Sequence, residues 1–418
     1  MNIHQDVLPA SSTNTRKLSK SSLLGSILLI CGSSIGVGIL SLPIVTGQAG
    51  ALPTVLLFLG SCIYMTITAL LLLETAHLCS NHANFITLSN KTLNKAGKTA
   101  IILSFTFLFY SLTTAYLAKG GELTHAILVQ ATQLDLPAWS GAGFLAFMTG
   151  LLIFRGHHVV DYFNRIFMLG LIATYLYLDT AGIEYFKFKN ITHRDWSYSI
   201  FVIPFIITSF GYHNLVPTIS NYLENDRRKG AIALVASGAI LFFIYVIWIV
   251  GLQGIIPLEG EISFTTSFAN QEIVTQPLAR LIPSPMIQYC AQYMAIFAIV
   301  TSLLAQGLSI IDFMGESFNV KRTQLSRTLL CAMLFIPTLI CSQTIPGVFF
   351  KALEFAGGIA AMVIFGIIPG LMGWVNRYRS PGLKGAFKPL VPGGKAMLIT
   401  VIAFASGLIL YELSKNIF

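Results

Sequence analysis

Two short polar interruptions in otherwise apolar stretches carry the chemistry of this chain. The first reads Gly32-Ser33-Ser34-Ile35-Gly36-Val37-Gly38 and is followed by Pro43; the second reads Ser209-Phe210-Gly211-Tyr212-His213-Asn214 and is followed by Pro217. Neither is a bond-making constellation. Glycine lets backbone come close to another group, and a proline just beyond cannot support an unbroken helical ladder. A helix opened in this way shows peptide N–H groups at the start of one half and carbonyl oxygens at the end of the other. The positive end suits an anionic group and the bare carbonyls suit a cation, so the chemistry is reversible recognition of charge by backbone dipoles.

Composition dictates the elements that must hold these breaks. Of 418 residues, 55% are apolar and 10% charged, which excludes disorder and an ordinary water-soluble globule. Apolar runs of about 20 residues, the length that crosses a ~30 Å hydrocarbon core, recur along the chain. There are eleven, at 22–47, 51–78, 99–131, 139–155, 161–181, 198–221, 229–256, 286–313, 325–342, 347–374 and 396–415. The expected fold class is therefore an all-α integral membrane protein with eleven transmembrane helices. Residues 1–21, rich in Ser, Thr and Asn, are expected as a mobile cytoplasmic tail, and 22–418 as a single transmembrane domain. The third run is longer than a span needs, which suggests a strong tilt. The connection 257–285, with four prolines and three glutamates, is expected to be an extracytoplasmic loop with room for a short helix.

Lipid offers no hydrogen bonds, so a break at mid-membrane depth survives only where protein or a water-filled cavity covers it. Paired breaks in the first and sixth runs therefore point to an enclosed site, as in secondary transporters. Five crossings lie in 22–181 and five in 198–374, each set opening with an interrupted helix. Because five is odd, the halves run with opposite topology, as an inverted repeat does, and helix 11 at 396–415 stands outside it.

Charge sets the orientation. With the N-terminus in the cytoplasm, nineteen of the 26 Lys and Arg residues fall in inside segments and seven outside. The positive-inside rule then expects a cytoplasmic N-terminus and a periplasmic C-terminus. The net charge of +9 is scattered between apolar runs rather than gathered on one surface, which argues against a nucleic-acid partner. The six cysteines, in or at the ends of apolar runs, read as small buried hydrophobes. A GxxxxGK[ST] phosphate loop is missing, and His157-His158 has no metal-ligand partner set, so no cofactor or metal is expected. A membrane-embedded enzyme would need convergent His and Asp or Ser groups at one depth, and the sequence offers none.

The stretches LGSILLICGSSIGVGILSLP (24–43), FLFYSLTTAYLAKGGEL (107–123), VDYFNR (160–165), IPFIITSFGYHNLVPTISNYLENDRRK (203–229), TSLLAQGLSIIDF (301–313) and FAGGIAAMVIFGIIPGLMGW (355–374) resemble the hydroxy and aromatic amino acid permeases of the amino acid/polyamine transporter superfamily, and among them most nearly the bacterial tyrosine permeases. The resemblance runs nearly the full length. It implies a LeuT-type 5+5 inverted repeat with broken helices 1 and 6, an inner-membrane location, and proton-coupled uptake of an aromatic amino acid, tyrosine first, tryptophan or phenylalanine next. Lipid, substrate and proton are the partners it implies, with no obligate protein partner.

A zwitterionic amino acid needs N–H donors for its carboxylate, acceptors for its ammonium and an apolar slot for its side chain. Ser33, Ser34, Ile35, Gly36, Val37 and Gly38 are expected to supply the N–H groups, and carbonyls near Phe210 and Gly211 the acceptors. Phe210 or Tyr212 could form the slot. His213 could bond a tyrosine hydroxyl or carry a proton, or could be a buried ring satisfied by freed backbone. Glu122, three residues after Lys119, is the coupling carboxylate or half of a structural pair. Glu74, Asp161 and Asp312 are expected in caps or gate pairs at cytoplasmic helix ends. Thr301 and Ser302 could hold a cation, as in sodium-coupled relatives of the fold, or could hold a water or orient helix 1.

Overall fold

The computed structural model describes residues 20–36, 38–78, 84–318, 320, 323–379 and 389–417. Val37 and residues 1–19 of the expected tail lie outside them, as does Cys79. The described chain is helical throughout, without a strand. Its helices are α1 (Lys20–Ser34), α2 (Gly38–Gly47), α3 (Ala51–Leu78), α4 (Phe85–Thr132), α5 (Trp139–Arg155), α6 (His157–Gly182), α7 (Ser199–Ser209), α8 (Val216–Tyr222), α9 (Arg227–Ile255), α10 (Phe264–Ala269), α11 (Thr275–Leu281), α12 (Pro285–Ser317), α13 (Gln324–Thr344), α14 (Val348–Arg379) and α15 (Gly394–Ile417). Among the described residues, nine stretches are long and apolar enough to cross a membrane, α7 and α8 together making one of them. The pair α1–α2, bent by 60°, makes a further span, and α5, with 17 residues, sits at the lower length limit.

Local chemistry explains most boundaries. Asn84 caps α4 by accepting from Thr87 N, and the Thr87 hydroxyl accepts from Asn84 N in return. Asn94, at φ 60°, kinks that helix, so the long third run continues a helix that starts at Phe85. Asp226 caps α9 through Arg228 N and Lys229 N. These backbone bonds, the one from Lys229 N foremost, hold the Asp226 carboxyl below the ordinary carboxylate range. The connection 257–285 holds two short helices, α10 and α11.

The interior is built around the two interrupted helices. The second half of the first, α2, packs on α7 and α9, and α7 packs on α3 and α14. Residues Ala356–Ile367 of α14 wind as a π-helix. Two glycines there permit contacts that no side chain would: a Cβ on Gly357 would lie 1.8 Å from Pro204 O of α7, and one on Gly358 would lie 2.4 Å from Glu412 Cγ of α15. The expected pairing of Glu74 holds: buried Arg377 of α14 binds it through Nε and Nη2, and the N–H groups of Leu390 and Val391 bind Glu74 Oε1. Asp161 pairs with Arg165 at 2.8 Å and Asp312 with His157 at 3.4 Å. Cys31, Cys62 and Cys290 are buried.

Candidate functional site

The first break is fixed by groups far away in sequence. Ile35 N still bonds to Cys31 O, and Ile39 N turns back to Gly36 O at 3.0 Å. The carbonyls freed around the break are taken by other elements: Tyr245 OH donates to Ser34 O (2.9 Å), Trp248 Nε1 to Ile39 O (2.7 Å) and Val274 N to Leu40 O (3.0 Å). Tyr245 and Trp248, one turn apart on α9, thus replace part of the lost ladder, and both are fully buried. Sequence reasoning missed them. Their signal was a pair of aromatics with polar tips at i and i+3 in an apolar helix.

The second break spans Phe210–Tyr212. Phe210 N returns to Ile207 O, Gly211 N to Thr208 O and Leu215 N to Tyr212 O, so a short turn rejoins α7 to α8. The two breaks touch: a Cβ on Gly38 would lie 3.0 Å from Ser209 Oγ and 3.2 Å from Tyr245 OH. Ser302 of α12 closes on the first break from the other side, because a Cβ on Gly36 would lie 2.4 Å from Ser302 Oγ.

A cavity of about 620 Å³ lies where these elements meet. Ser33, Ser34, Ile35, Gly36, Gly38, Gly211, Thr301 and Ser302 all line it, so the structure gathers most of the sequence-derived set. Its apolar wall is Phe105, Leu108, Phe109 and Leu112 of α4 with Phe365 of α14. At the inner end Tyr116 and Thr301 are nearly inaccessible, whereas Arg165 at the other end is 76% exposed. The cavity is therefore open toward Arg165 and closed at the opposite face. There Gln276 Nε2 of α11 donates to Glu122 Oε1 (3.2 Å) and the ring of Phe264 fills the space beside Gly47.

Three expected residues are placed elsewhere. The Phe210 ring is fully buried against Phe58 and Tyr245 and does not line the cavity. Tyr212 OH lies 3.3 Å from Thr66 Oγ1, and His213 Nε2 lies 2.8 Å from Thr68 Oγ1. The His213 ring stacks between Tyr212 and Phe365, behind the cavity wall. The phenylalanine rings that line the cavity are instead those of Phe105, Phe109 and Phe365. The α4 residues of the wall, Phe105, Leu108, Phe109 and Leu112, recur at i, i+3, i+4 and i+7, a helical stripe that sequence alone cannot tell from core packing. Val37 lies outside the described residues. Glu122 is 54% exposed, bonds Lys119 at 2.5 Å and lies outside the cavity. Among the described residues no group of His, Cys, Asp or Glu is arranged to hold a metal.

The chain that builds this geometry has relatives. Residues 19–412 match the tryptophan/tyrosine permease family. The chain is 26% identical to a tryptophan-specific transport protein of Haemophilus influenzae over 95% of its length and 96% of the relative's. It is also 26% identical to tyrosine-specific transport system 1 of the same organism, over 91% and 93%. The crystal structure of MhsT in complex with L-phenylalanine superimposes with a TM-score of 0.62 at 16% identity, covering 93% of this chain and 97% of that one. The fold is therefore of the LeuT type.

Proposed function

From its place in the tryptophan/tyrosine permease family, to which this chain belongs, we propose that it imports an aromatic amino acid, tyrosine before tryptophan or phenylalanine, across the inner membrane by symport with protons. Family members are permeases rather than enzymes. The observation that carries the reading is the cavity at the junction of both helix breaks, with polar backbone at one wall and aromatic rings at the other. The N-terminus of α2 at Gly38 supplies N–H groups and a positive dipole end for the substrate carboxylate. Carbonyls at the second break receive the ammonium. Phe105, Phe109 and Phe365 take the ring. The tryptophan-specific and tyrosine-specific transport proteins among the relatives support an aromatic amino acid as the substrate.

In this reading the structure is the inward-facing state. Arg165, at the open end of the cavity, belongs to the face that the positive-inside rule assigns to the cytoplasm. The closed face is latched by Gln276 on Glu122 and by Val274 N on Leu40 O. Glu122 is the coupling carboxylate: protonation from outside removes its charge, weakens its hold on Lys119 and loosens the latch. Substrate and proton then shift the balance of outward and inward states by differential affinity. Ser302 packs against Gly36, which supports its helix-orienting role over sodium ligation.

The test is initial uptake of labelled tyrosine into proteoliposomes of the purified protein under an inward proton gradient in sodium-free buffer, with tryptophan and phenylalanine as competitors. Accumulation that collapses with a protonophore is expected. Uptake that appears only with sodium refutes proton coupling, and no aromatic uptake under either gradient refutes the substrate class.

A further inference from the structure

The hydroxyl groups that line the cavity are mostly committed as donors. Ser34, Thr208, Thr301, Ser302 and Ser309 each donate to a carbonyl of their own helix, and Tyr245 donates to Ser34 O. The amide of Gln306 differs. Its Nε2 donates to Tyr116 OH at 3.0 Å, while its Oε1 is buried without a hydrogen-bond partner. A buried acceptor in that state calls for an explanation. Asn164 Oδ1 and Ser209 Oγ share it, but Asn164 sits beside Arg165 at the open end of the cavity and Ser209 abuts the first break at Gly38.

We propose that Gln306, anchored by Tyr116, reads a hydrogen-bond donor on the edge of the substrate's ring and so separates tyrosine and tryptophan from phenylalanine. This rests on the aromatic amino acid reading above and adds the residue that sets specificity. Ser302 abuts the first break at Gly36, where the α-carboxylate binds. Gln306 lies four residues further along α12, just over one helical turn or about 6 Å. That is roughly the reach from the α-carbon of an amino acid to the far edge of its six-membered ring. On α4, Tyr116 stands one turn beyond Leu112, which with Phe109 lines the apolar slot. Because α4 and α12 run antiparallel, with Phe105 against Phe313 at 5.1 Å, the Tyr116–Gln306 pair stands between the first break and the rings of the slot, where it meets the edge of a ring that reaches in from that break. The phenol O–H and the indole N–H can each donate to Gln306 Oε1, and a phenyl ring cannot. A site with a buried acceptor of this kind rejects the analogue that lacks the donor more strongly than shape alone can.

The experiment measures initial uptake in proteoliposomes of the full-length protein for labelled tyrosine, tryptophan and phenylalanine. Two donor-free isosteres, 4-fluorophenylalanine and 3-benzothienylalanine, serve as competitors. Wild type should favour tyrosine and tryptophan over phenylalanine by roughly tenfold or more. The isosteres should compete no better than phenylalanine. Gln306→Leu should still carry phenylalanine while its preference for tyrosine falls toward parity. An active Gln306→Leu variant that keeps the wild-type preference overturns the inference. Should that variant fail to insert, the isosteres on wild type decide, because competition equal to the parent amino acids overturns it. Wild-type uptake of all three amino acids without discrimination overturns the role of Gln306 and leaves the aromatic reading standing. Uptake of none refutes both.

Discussion

Gly36→Ala is the smallest change that tests the geometry of the first break. Gly36 is outside the left-handed backbone region, so alanine carries no conformational penalty there, and the cost comes only from space. The new Cβ would stand 2.4 Å from Ser302 Oγ, well inside the 3.0 Å that real Cβ atoms respect. Ser302 is held by its own bond to Ala298 O at 2.8 Å, and it is 8% exposed. Relief requires either turning that hydroxyl away, at about 0.5–1.5 kcal/mol for the lost bond, or shifting the break, at about 1–3 kcal/mol for overpacking. Together these bracket a fall in uptake of about 2- to 150-fold.

The structure also specifies the cure. With Ser302→Ala the Oγ disappears and the nearest remaining atom, Ser302 Cβ, lies 3.6 Å from the new methyl, an ordinary contact. The double variant Gly36→Ala/Ser302→Ala should recover most of the loss, a coupling of about 1–3 kcal/mol in a double-mutant cycle. The assay is initial uptake in proteoliposomes, normalised to inserted protein, for wild type, both single variants and the pair. Normal uptake by Gly36→Ala would refute the close approach of α12 to the break. A deficient double variant would show that the loss has another origin. Ser302→Ala alone should keep its uptake in sodium-free buffer if Ser302 serves packing.

Four further outcomes follow from contacts elsewhere. Tyr245→Phe removes the donor to Ser34 O and leaves that carbonyl unpaired, at about 1–3 kcal/mol, so a lower melting temperature with slower uptake is expected; unchanged values would refute the role of α9 in holding the break. Glu74→Ala strands the buried Arg377 charge, and a loss of about 3–5 kcal/mol should show as poor detergent stability, which a wild-type melt would contradict. Glu122→Gln should impair accumulation driven by a pH gradient more than exchange of substrate, and equal loss in both assays would return Glu122 to a purely structural pair with Lys119. Because the folded-state titration of Asp226 is depressed, its capping contribution is complete above the unfolded carboxylate range near ~3.9 and is lost as pH falls through the lower folded value. Asp226→Asn should therefore flatten the acid limb of the melting curve, and an unchanged limb would argue against this cap.

The two breaks were legible because lipid forces each helix to satisfy its own backbone, so Gly36-Val37-Gly38 and Phe210-Gly211-Tyr212 stand out against apolar surroundings without any knowledge of partners. For the same reason the all-helical class and the paired opening of both halves could be read from length and hydropathy. Glu74 was legible as a paired acid, since an ionised group at such a depth requires a counter-charge, but its partner Arg377 was not. The site's interior was decided by the tertiary structure. Phe210 or Tyr212 looked like the slot, and His213 like a polar group beside it, because they sit in the break, yet a turn there points neighbouring side chains to different sides, and these three pack behind the wall. Phe109, Tyr116, Tyr245, Gln306 and Phe365 form or brace the cavity from four other helices. Helical spacing shows which residues of one helix share a face. Which faces meet depends on packing between segments hundreds of residues apart, and that is settled only when the helices assemble.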